Sequence, residues 1–304
     1  MLADKKYNSI VIAGPTASGK TALAVKTARI AGGEIISADS RQVYRGMDIG
    51  SGKDLSEYTE GGPAVKVHLV DCANPDEVYS LYNYLHDFYP CFDGIIGRGN
   101  VPVVCGGTGL YIEGALLKYA VSDAAPDENL RKILSLKSRE DLIEDLNSYP
   151  DIYKNCDLSS KKRIIRAIEI AQSCSGKPVS PGENTDIRPM ITVVSPPTDI
   201  LKKRISHRLD ERLAQGMLDE VRTLLESGVS RERMIMFGME YKYVSLYLDG
   251  DINYNTMRES LLNEIFRLAK RQRTWFRGMK KRGLDVLWFE SVMAEELAEL
   301  FNAS

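Results

Sequence analysis

Short apolar runs alternate with helix-prone segments along the first half of the chain. Ser9–Ala13 is apolar and rich in β-branched residues, and the runs that begin at Glu34 and at Val101 have the same character. Runs of this length, separated by helix-prone sequence, are typical of βαβ units. The pattern predicts an α/β fold in which helices flank a parallel sheet.

Two further runs extend the predicted sheet, and an insertion separates them. Val65–Asp71 alternates polar and apolar residues, so we expect it near a sheet edge rather than in the buried centre. Met190–Ser195 is β-rich, and we interpret it as the last core strand. Between them, polar breaks enclose charged, helix-prone sequence. We therefore predict an all-helical insertion domain at 119–187 within a discontinuous core domain, 1–118 and 188–304.

A helical spacing replaces the strand pattern near the C-terminus. The apolar positions with this spacing, and the polar one in the same stripe, are Leu261, Ile265, Leu268, Gln272, Trp275 and Met279. They predict an amphipathic helix over Leu261–Arg282, and Ala294–Phe301 predicts a closing helix. Arg267–Arg282 contains eight basic residues and no acidic one. Solvated faces usually mix both signs of charge, so this stretch favours a polyanionic partner such as RNA.

The composition of the 304 residues is that of a folded, water-soluble protein. Hydrophobic residues make up 43% and charged residues 27%, with a net charge of −2, which excludes disordered and disulfide-stapled classes. We find no secretion signal and no apolar run of about 18 residues, so we expect a cytoplasmic protein with no membrane segment. Five cysteines without Cys-x-x-Cys spacing predict free thiols rather than disulfides or zinc ligands.

The strongest chemical motif directly follows the first predicted strand. Residues 14–21 read Gly-Pro-Thr-Ala-Ser-Gly-Lys-Thr and precede helix-prone sequence, which is the context of a phosphate-binding loop. Backbone N–H groups can surround phosphate oxygens, Lys20 adds positive charge, and the Thr21 hydroxyl can bind Mg²⁺. The predicted phosphate-binding residues are Gly14, Pro15, Thr16, Ala17, Ser18, Gly19, Lys20 and Thr21, with Mg²⁺ as the cofactor.

Other polar residues follow the ends of neighbouring strands, where parallel sheets bind ligands. Asp39 and Ser40 follow the second run, and Thr108 lies in the glycine turn after the fourth. From its position alone, Asp39 is either a general base near the phosphates or a helix N-cap or loop carboxylate. Asp71 is either a metal-supporting acid or a loop cap, and the loop cap is favoured.

Seven segments in this order resemble the tRNA dimethylallyltransferase (tRNA isopentenyltransferase) family over essentially the whole chain. They are Gly14–Thr21, Asp39–Gly50, His68–Asp71, Gly106–Tyr111, Lys162–Glu169, Gly216–Arg222 and Leu268–Arg277. The first occurs in many unrelated enzymes, whereas the second and the last are specific to the family. The resemblance implies a P-loop NTPase-like core that transfers the dimethylallyl group of dimethylallyl diphosphate to N6 of adenine 37, beside the tRNA anticodon, and releases pyrophosphate.

The same resemblance implies residue roles. Asp39 takes the proton of the amine, Lys20 stabilises the diphosphate, and Thr16 and Thr108 line the reaction channel, which the adenine enters by leaving its stack. The implied partner is the tRNA anticodon stem-loop, bound by a monomer. The implied tRNA-binding residues are Asp39, Ser40, Arg41, Gln42, Thr108, Arg131, Lys162, Arg163, Ile164, Ile165, Arg166, Lys242, Lys270, Arg271, Gln272, Arg273, Thr274, Trp275, Phe276 and Arg277.

The chain departs from the family pattern in one segment. Where the pattern reads Gln-Ala-Ile-Gly-Tyr-Lys, residues 237–242 read Phe-Gly-Met-Glu-Tyr-Lys, so Phe237 replaces the polar residue and Glu240 replaces the glycine. Because of these two replacements, the resemblance does not decide whether residues 237–242 contact RNA.

Three alternative functions share part of the motif set. A small-molecule kinase would use the phosphate loop with ATP. An adenylate-type isopentenyltransferase would prenylate a free nucleotide, and a nucleotide-switch or RNA-binding protein would lack catalysis. The basic stretch near the C-terminus has no role in the first and little in the second.

Overall fold

The computed structural model describes residues 6–154, 156–173 and 179–303 of the chain. These residues divide into two compact units. The first comprises the chain up to Leu117 and from Asn184 onwards, and the second comprises Lys118–Glu183. The predicted insertion, 119–187, starts one residue and ends four residues after the observed unit.

A six-stranded sheet forms the centre of the first unit. Its strands are β1 (Ser9–Ala13), β2 (Gly33–Ser37), β3 (Val67–His68), β4 (Val101–Gly106), β5 (Pro189–Val194) and β6 (Val286–Phe289). They lie in the order β3-β2-β4-β1-β5-β6, and every neighbouring pair is parallel. The predicted parallel sheet is confirmed, and all strands end at the same edge of it.

The described residues also form thirteen α-helices. They are α1 (Lys20–Ala31), α2 (Leu81–Gly97), α3 (Gly109–Leu116), α4 (Glu128–Ser135), α5 (Arg139–Asn147), α6 (Pro150–Tyr153), α7 (Lys161–Gln172), α8 (Thr198–Ala214), α9 (Met217–Glu226), α10 (Arg231–Phe237), α11 (Met239–Leu248), α12 (Tyr254–Met279) and α13 (Ala294–Asn302). Short 3₁₀ turns occur at Leu55–Tyr58 and Lys280–Arg282. The predicted amphipathic and closing helices are confirmed as α12 and α13.

Besides the buried side chains of α2, such as Tyr84, Phe88 and Phe92, two hydrophobic cores hold the first unit together. One lies between the sheet and helices α1 and α13, where Ile12, Ala28 and Phe301 are almost fully buried. The other is formed by helices α8 to α12 around Tyr241 and Leu261. Burial of such side chains contributes about 1.5–3 kcal/mol each. The second core fixes α8, α11 and α12 beside the strand ends, where the candidate site lies.

The sheet edges differ from the prediction in one respect. β3 is an edge strand, as its alternating pattern predicts. The interpretation of Met190–Ser195 as the last core strand is wrong, because β6 pairs with β5 and forms the opposite edge. The Ser195 N–H extends this pairing by donating to the Phe289 carbonyl over 2.8 Å. Only four residues form β6, and Leu287 and Trp288 are exposed, so the run is too short to stand out in the sequence.

The second unit has its own core and is helical, as predicted. Helices α4 to α7 pack around Leu142, Leu146, Ile164 and Ile168, all fully buried. The buried carboxylate of Glu169 accepts hydrogen bonds from two arginines of this unit and, over 2.6 Å, from the backbone N–H of Asp127. A hydrophobic core and one buried charge cluster therefore hold this unit together.

Two general expectations can be compared with the described residues. Among them, no helix combines the length and the apolar character needed to span a bilayer. Cys72, Cys91, Cys105 and Cys156 are free thiols, as predicted. The fifth cysteine, Cys174, lies outside the described residues.

Candidate functional site

The ends of β1, β2 and β4 border a cavity of about 360 Å³ in the first unit. Thr16, Lys20 and Thr21 follow β1, residues 39–42 follow β2, and residues 106–110 follow β4; all line this cavity. Helices α8, α11 and α12 supply the remaining walls. The three segments that the sequence places at strand ends therefore meet at one site.

The predicted phosphate loop turns sharply into helix α1. Gly19 precedes the helix with φ 86°, a left-handed conformation that suits glycine, and the first turn of α1 contains no acidic residue. The helix N-terminus therefore adds partial positive charge to that of Lys20. Lys20 Nζ lies 3.4 Å from the Pro15 carbonyl oxygen. Gly14, Pro15, Ala17, Ser18 and Gly19 shape the turn, while Thr16, Lys20 and Thr21 face the cavity.

The environment of Lys20 disfavours its charge. Burial lowers the pKa of the Lys20 ammonium, although Cys105 and Asp39 act in the opposite direction. Arg208 and Arg212 lower the pKa further by like-charge repulsion. Among the described residues, no carboxylate forms an ion pair with Lys20. A bound anion would compensate this cluster of positive charge.

Asp39 lies in a tight turn that Thr108 holds in place. The Asp39 Oδ1 atom accepts the backbone N–H of Arg41 over 3.0 Å. Thr108 Oγ1 accepts the Ser40 N–H over 3.0 Å, and the Thr108 N–H donates to the Ala38 carbonyl over 3.1 Å. No helix begins at Asp39, so the N-cap interpretation is wrong. The carboxylate caps its own turn and also faces the cavity.

The neighbouring block, Asp48–Gly52, is held by two networks of hydrogen bonds and ion pairs. Glu220 accepts the backbone N–H groups of Asp48, Ile49 and Gly50 over 2.7, 2.6 and 2.9 Å. The buried Lys53 ammonium pairs with Asp48 and Asp71. Asp71 thus stabilises this loop. It is not one of the described residues that line the cavity.

Gln272 joins helix α12 to two of the strand-end loops. Its Oε1 accepts the backbone N–H of Thr16 over 2.9 Å, and its Nε2 donates to the Gly107 carbonyl over 3.0 Å. Leu268, Arg271 and Trp275 lie on the same side of α12 and line the cavity with it. The stripe that predicts the helix therefore includes a wall of the site.

Sequence reasoning missed the two arginines that α8 contributes. Arg208 and Arg212 are one helical turn apart and both line the cavity. Arg208 pairs with Asp54 over 2.7 Å, whereas among the described residues no carboxylate pairs with Arg212. Burial, followed by the charge of Arg208, lowers the pKa of Arg212 to about 10. Their i, i+4 spacing is the only sequence signal, and it is common on solvated helices.

The other basic side chains of α12 lie elsewhere. Lys270, Arg273, Thr274 and Arg277 line a second groove of about 490 Å³ against α8, together with Lys202. Two of the eight basic residues are neutralised locally, since Arg267 pairs with Glu264 and Arg282 with Glu113. The basic stretch Arg267–Arg282 therefore carries less unpaired positive charge than its sequence indicates.

Some predicted RNA-binding residues lie in the hydrophobic interior. Phe276 is 1% exposed, and Ile164 is fully buried in the core of the second unit, so neither side chain presents a surface to an external RNA. Ile165 is half-buried against the same core as Ile164. Apolar positions inside a basic motif complete the buried face of its helix. Lys242 is half-buried, 5.1 Å from the Tyr243 ring centroid, and does not line the cavity.

The four cations of the second unit that are predicted to bind RNA, Arg131 of α4 and three residues of α7, are mostly paired within the unit. Arg131 and Arg166 pair with Glu169, and Arg163 pairs with Asp157. Lys162 is exposed. The structure of this unit therefore accounts for three of the four cations, and Lys162 is the one most available to an external anion.

The donor set fits a magnesium ion held mainly by a substrate. Thr21 offers one hydroxyl oxygen in the cavity wall, and the described residues contain no cluster of three or more His, Cys, Asp or Glu side chains suited to a metal. Mg²⁺ usually keeps several waters and is bound largely by substrate phosphates, and the Ser/Thr hydroxyl of a phosphate-binding loop is a typical protein ligand. Thr21 is therefore the residue that would hold a magnesium ion here, together with substrate phosphates.

Comparison with known proteins relates the whole chain to one family. The sequence model of the family described as IPP transferase matches residues 42–279, and that of Isopentenyl transferase matches residues 7–70. The tRNA dimethylallyltransferase 1 of Syntrophus aciditrophicus is 46% identical over 295 residues, 96% of each chain. The crystal structure of the tRNA isopentenylpyrophosphate transferase from Bacillus halodurans has a TM-score of 0.69 at 31% identity and covers 97% of this chain and 95% of its own.

A more distant structure has the same fold. It is a eukaryotic dimethylallyltransferase described as acting on tRNA, with a TM-score of 0.72 at 22% identity, covering 93% of this chain and 74% of its own. The resemblance drawn from the sequence motifs is thereby confirmed. Since the family model spans most of the chain and the relatives match it almost end to end, the chain belongs to the IPP transferase family.

Proposed function

We propose that this chain transfers the dimethylallyl group of dimethylallyl diphosphate to N6 of adenine 37 of tRNA, on the 3′ side of the anticodon. Its relatives are named for dimethylallyl transfer to tRNA, and the chain shares their family and length. The observation that carries the proposal is that an anion-binding loop and the Asp39 carboxylate line one cavity. A prenyl transfer to an amine needs both groups.

The donor end of the reaction uses positive charge. Lys20, the N-terminus of α1 and the arginines Arg208 and Arg212 would bind the diphosphate. As the bond between the prenyl carbon and the diphosphate oxygen breaks, its electron pair leaves with pyrophosphate, and these groups stabilise the negative charge that develops there. Mg²⁺, held by Thr21 and the phosphate oxygens, would neutralise part of that charge when bound.

The acceptor end uses the Asp39 turn. The N6 nitrogen forms a new bond to the prenyl carbon, and the proton it loses passes to the Asp39 carboxylate. Thr108 fixes the turn that carries Asp39, and Thr16 lines the same cavity. Bound substrates that fill this cavity would limit the access of water, which would otherwise compete with the amine for the reactive prenyl carbon.

Two positive surfaces would bind the tRNA itself. In the first unit, Lys270, Arg273 and Arg277 form the rim of the α8–α12 groove beside the cavity-lining face of the same helix. In the second unit, the exposed Lys162 supplies a further cation. Contacts of this kind with phosphates provide affinity and position, while the cavity selects the base.

The experiment is prenyl transfer from labelled dimethylallyl diphosphate, with undermodified tRNA, adenosine monophosphate and ATP offered as separate acceptors. The proposal predicts label in tRNA alone. Label in the free nucleotides would instead identify an adenylate-type isopentenyltransferase, and consumption of ATP without label transfer would identify a kinase.

A variant of the base tests the catalytic assignment. Asp39→Asn preserves size and is expected to lower kcat by about 100-fold or more, because a general base contributes roughly 10²–10⁴. The dissociation constant for tRNA should change by less than a few-fold. An Asp39→Asn enzyme with normal turnover would remove Asp39 as the base.

A further inference from the structure

The departure from the family pattern at Glu240 places a buried carboxylate in the cavity wall. Glu240 lies in the first turn of α11, and its side chain is 7% exposed. Its Oε2 atom lies 2.5 Å from Arg41 Nη1. Both residues line the cavity that also contains Asp39. The pair connects the turn after β2 to a helix almost two hundred residues later in the chain.

Arg41 is held from two sides. Burial opposes its charge, but Glu240 and then Asp39 outweigh it and raise the pKa of the Arg41 guanidinium. Gly238, just before α11, has φ 126°, and a Cβ there would lie 2.5 Å from Arg41 Nη2. Gly238 leaves room for the guanidinium, and Glu240 supplies its counter-charge.

The guanidinium has a second carboxylate close by. Asp39 is two residues earlier, shares a turn with Arg41 and interacts electrostatically with it. Even so, the described residues contain no ion pair between the Arg41 side chain and Asp39, and the contact of Asp39 with Arg41 is to the backbone N–H. An arginine without Glu240 would have Asp39 as its nearest alternative partner.

We propose that Glu240 is a positioning residue for proton transfer, which holds the Arg41 guanidinium and so leaves the Asp39 carboxylate free to accept the proton of the adenine amine. The inference rests on the proposed function of Asp39. A carboxylate already paired with a guanidinium is a weaker proton acceptor, because protonation would break a charge-assisted hydrogen bond. Glu240 thus acts on the base through Arg41.

Kinetics of single and double variants test this role. Glu240→Gln keeps the shape but releases the guanidinium, and we expect kcat to fall about ten- to a hundredfold with a less than threefold change in the KM for tRNA. Glu240→Asp keeps the negative charge and should retain most of kcat. In Arg41→Gln/Glu240→Gln no guanidinium is left to capture Asp39, so kcat should recover about tenfold relative to Glu240→Gln, while the KM for tRNA rises.

Glu34→Gln is the matched control. Glu34 is also a buried carboxylate paired with an arginine, Arg98, but it lies near the start of β2, far along the strand from the cavity. Its neutralisation should leave kcat unchanged. A double variant no faster than Glu240→Gln, or a Glu240→Gln enzyme with wild-type kcat, would overturn the positioning role. Either result leaves the proposed function standing, since that depends on wild-type transfer to tRNA.

Discussion

The side-chain amide of Gln272 accepts the backbone N–H of Thr16 over 2.9 Å, a contact between positions 256 residues apart. The same amide donates to the Gly107 carbonyl, so one side chain ties helix α12 to the phosphate loop and to the glycine turn. The helix that carries the basic groove residues is thereby fixed to the loop expected to bind the diphosphate. Through this bridge, donor binding at the phosphate loop is coupled to the position of the α12 residues that would bind tRNA.

Removal of this contact should loosen both sites. Gln272→Ala leaves the Thr16 N–H and the Gly107 carbonyl without these partners, which costs about 1–3 kcal/mol in the free energy of unfolding. We expect a higher KM for both donor and tRNA. Chemical denaturation and steady-state kinetics measure the two effects. Asn255→Ala, a change at an exposed position of the same helix away from both cavities, is the control, and equal effects from both variants would contradict the bridging role.

Arg212 should bind the donor at some cost to the stability of the free protein. It is a cation without an ion-pair partner among the described residues, close to Arg208, and its pKa is lowered to about 10. Arg212→Met should raise the melting temperature of the free enzyme and raise the KM for the diphosphate by about tenfold or more. A lower melting temperature would show that Arg212 is mainly structural. Lys202→Met in the second groove is the control for loss of a charge.

Donor binding should weaken at alkaline pH. Because burial lowers the pKa of Lys20, its ammonium loses its proton at a lower pH than a solvated lysine would. Below that pKa the group is charged and binds the diphosphate; as pH rises through it, the charge and part of the affinity are lost. Donor affinity measured as a function of pH tests this. In Lys20→Arg the guanidinium stays protonated, so the alkaline loss should be smaller, and an identical loss would exclude Lys20 as its origin.

Acid should destabilise the first unit through Glu34. Hydrogen bonds from Arg98, then from His68 and Asn100, hold the pKa of Glu34 well below its usual range despite its burial. A depressed folded-state pKa contributes stability that is present above the unfolded pKa, about 4.3, and is lost as pH falls below it. Glu34→Gln should reduce the acid-induced loss of unfolding free energy between about pH 6 and about pH 3.5 by at most about 1 kcal/mol, since the unfolded pKa lies less than about one unit above pH 3.5 and the half-exposed Arg98 is screened. Urea titrations at pH 6 and at about pH 3.5 give the acid-induced loss of unfolding free energy for the wild type and for Glu34→Gln. Equal losses in the two proteins would exclude Glu34 as a source of the acid sensitivity.

The groove cations should determine the salt dependence of tRNA binding. Each lysine or arginine that neutralises a phosphate contributes about one unit to the slope of log affinity against log salt. The triple variant Lys270→Ala/Arg273→Ala/Arg277→Ala should therefore reduce the slope by about 2–3 units and leave donor binding unchanged. Lys26→Ala is the control, because Lys26 is an exposed lysine of α1 that lines neither the cavity nor the groove. If the triple variant has the same salt dependence of tRNA binding as the wild type, the RNA phosphates do not bind in this groove.

Local patterns predicted the part of the site that follows strand ends. Thr16, Asp39 and Thr108 each come directly after a strand, and parallel strands bring such positions to one edge of the sheet. The α8 arginines and the Gln272 bridge could not be found in this way. Each depends on which face of a helix packs against the sheet, and that is decided by long-range contacts in the helical core rather than by neighbouring residues.

Charge patterns were a weaker guide than strand ends. The basic run in α7 predicts an RNA-binding face, but Glu169 and Asp157 neutralise Arg131, Arg163 and Arg166 within the same unit. Both carboxylates lie near the run in the sequence, Asp157 before it and Glu169 after it, but the fold of the unit decides which arginines they pair with. Likewise, the sequence shows that Glu240 replaces a glycine of the family pattern, but only the structure shows that it pairs with Arg41.

The most direct test of the account is nucleoside analysis by mass spectrometry after reaction with dimethylallyl diphosphate. Two anticodon stem-loop RNAs serve as acceptors, identical except for adenine or guanine at position 37. We predict N6-dimethylallyladenosine from the first RNA, none from the second, and formation from the first RNA at least about 100-fold slower with Asp39→Asn. Prenylation of the guanine-37 RNA, or of other adenines to the same extent, would contradict the assignment of the cavity as the site that modifies adenine 37.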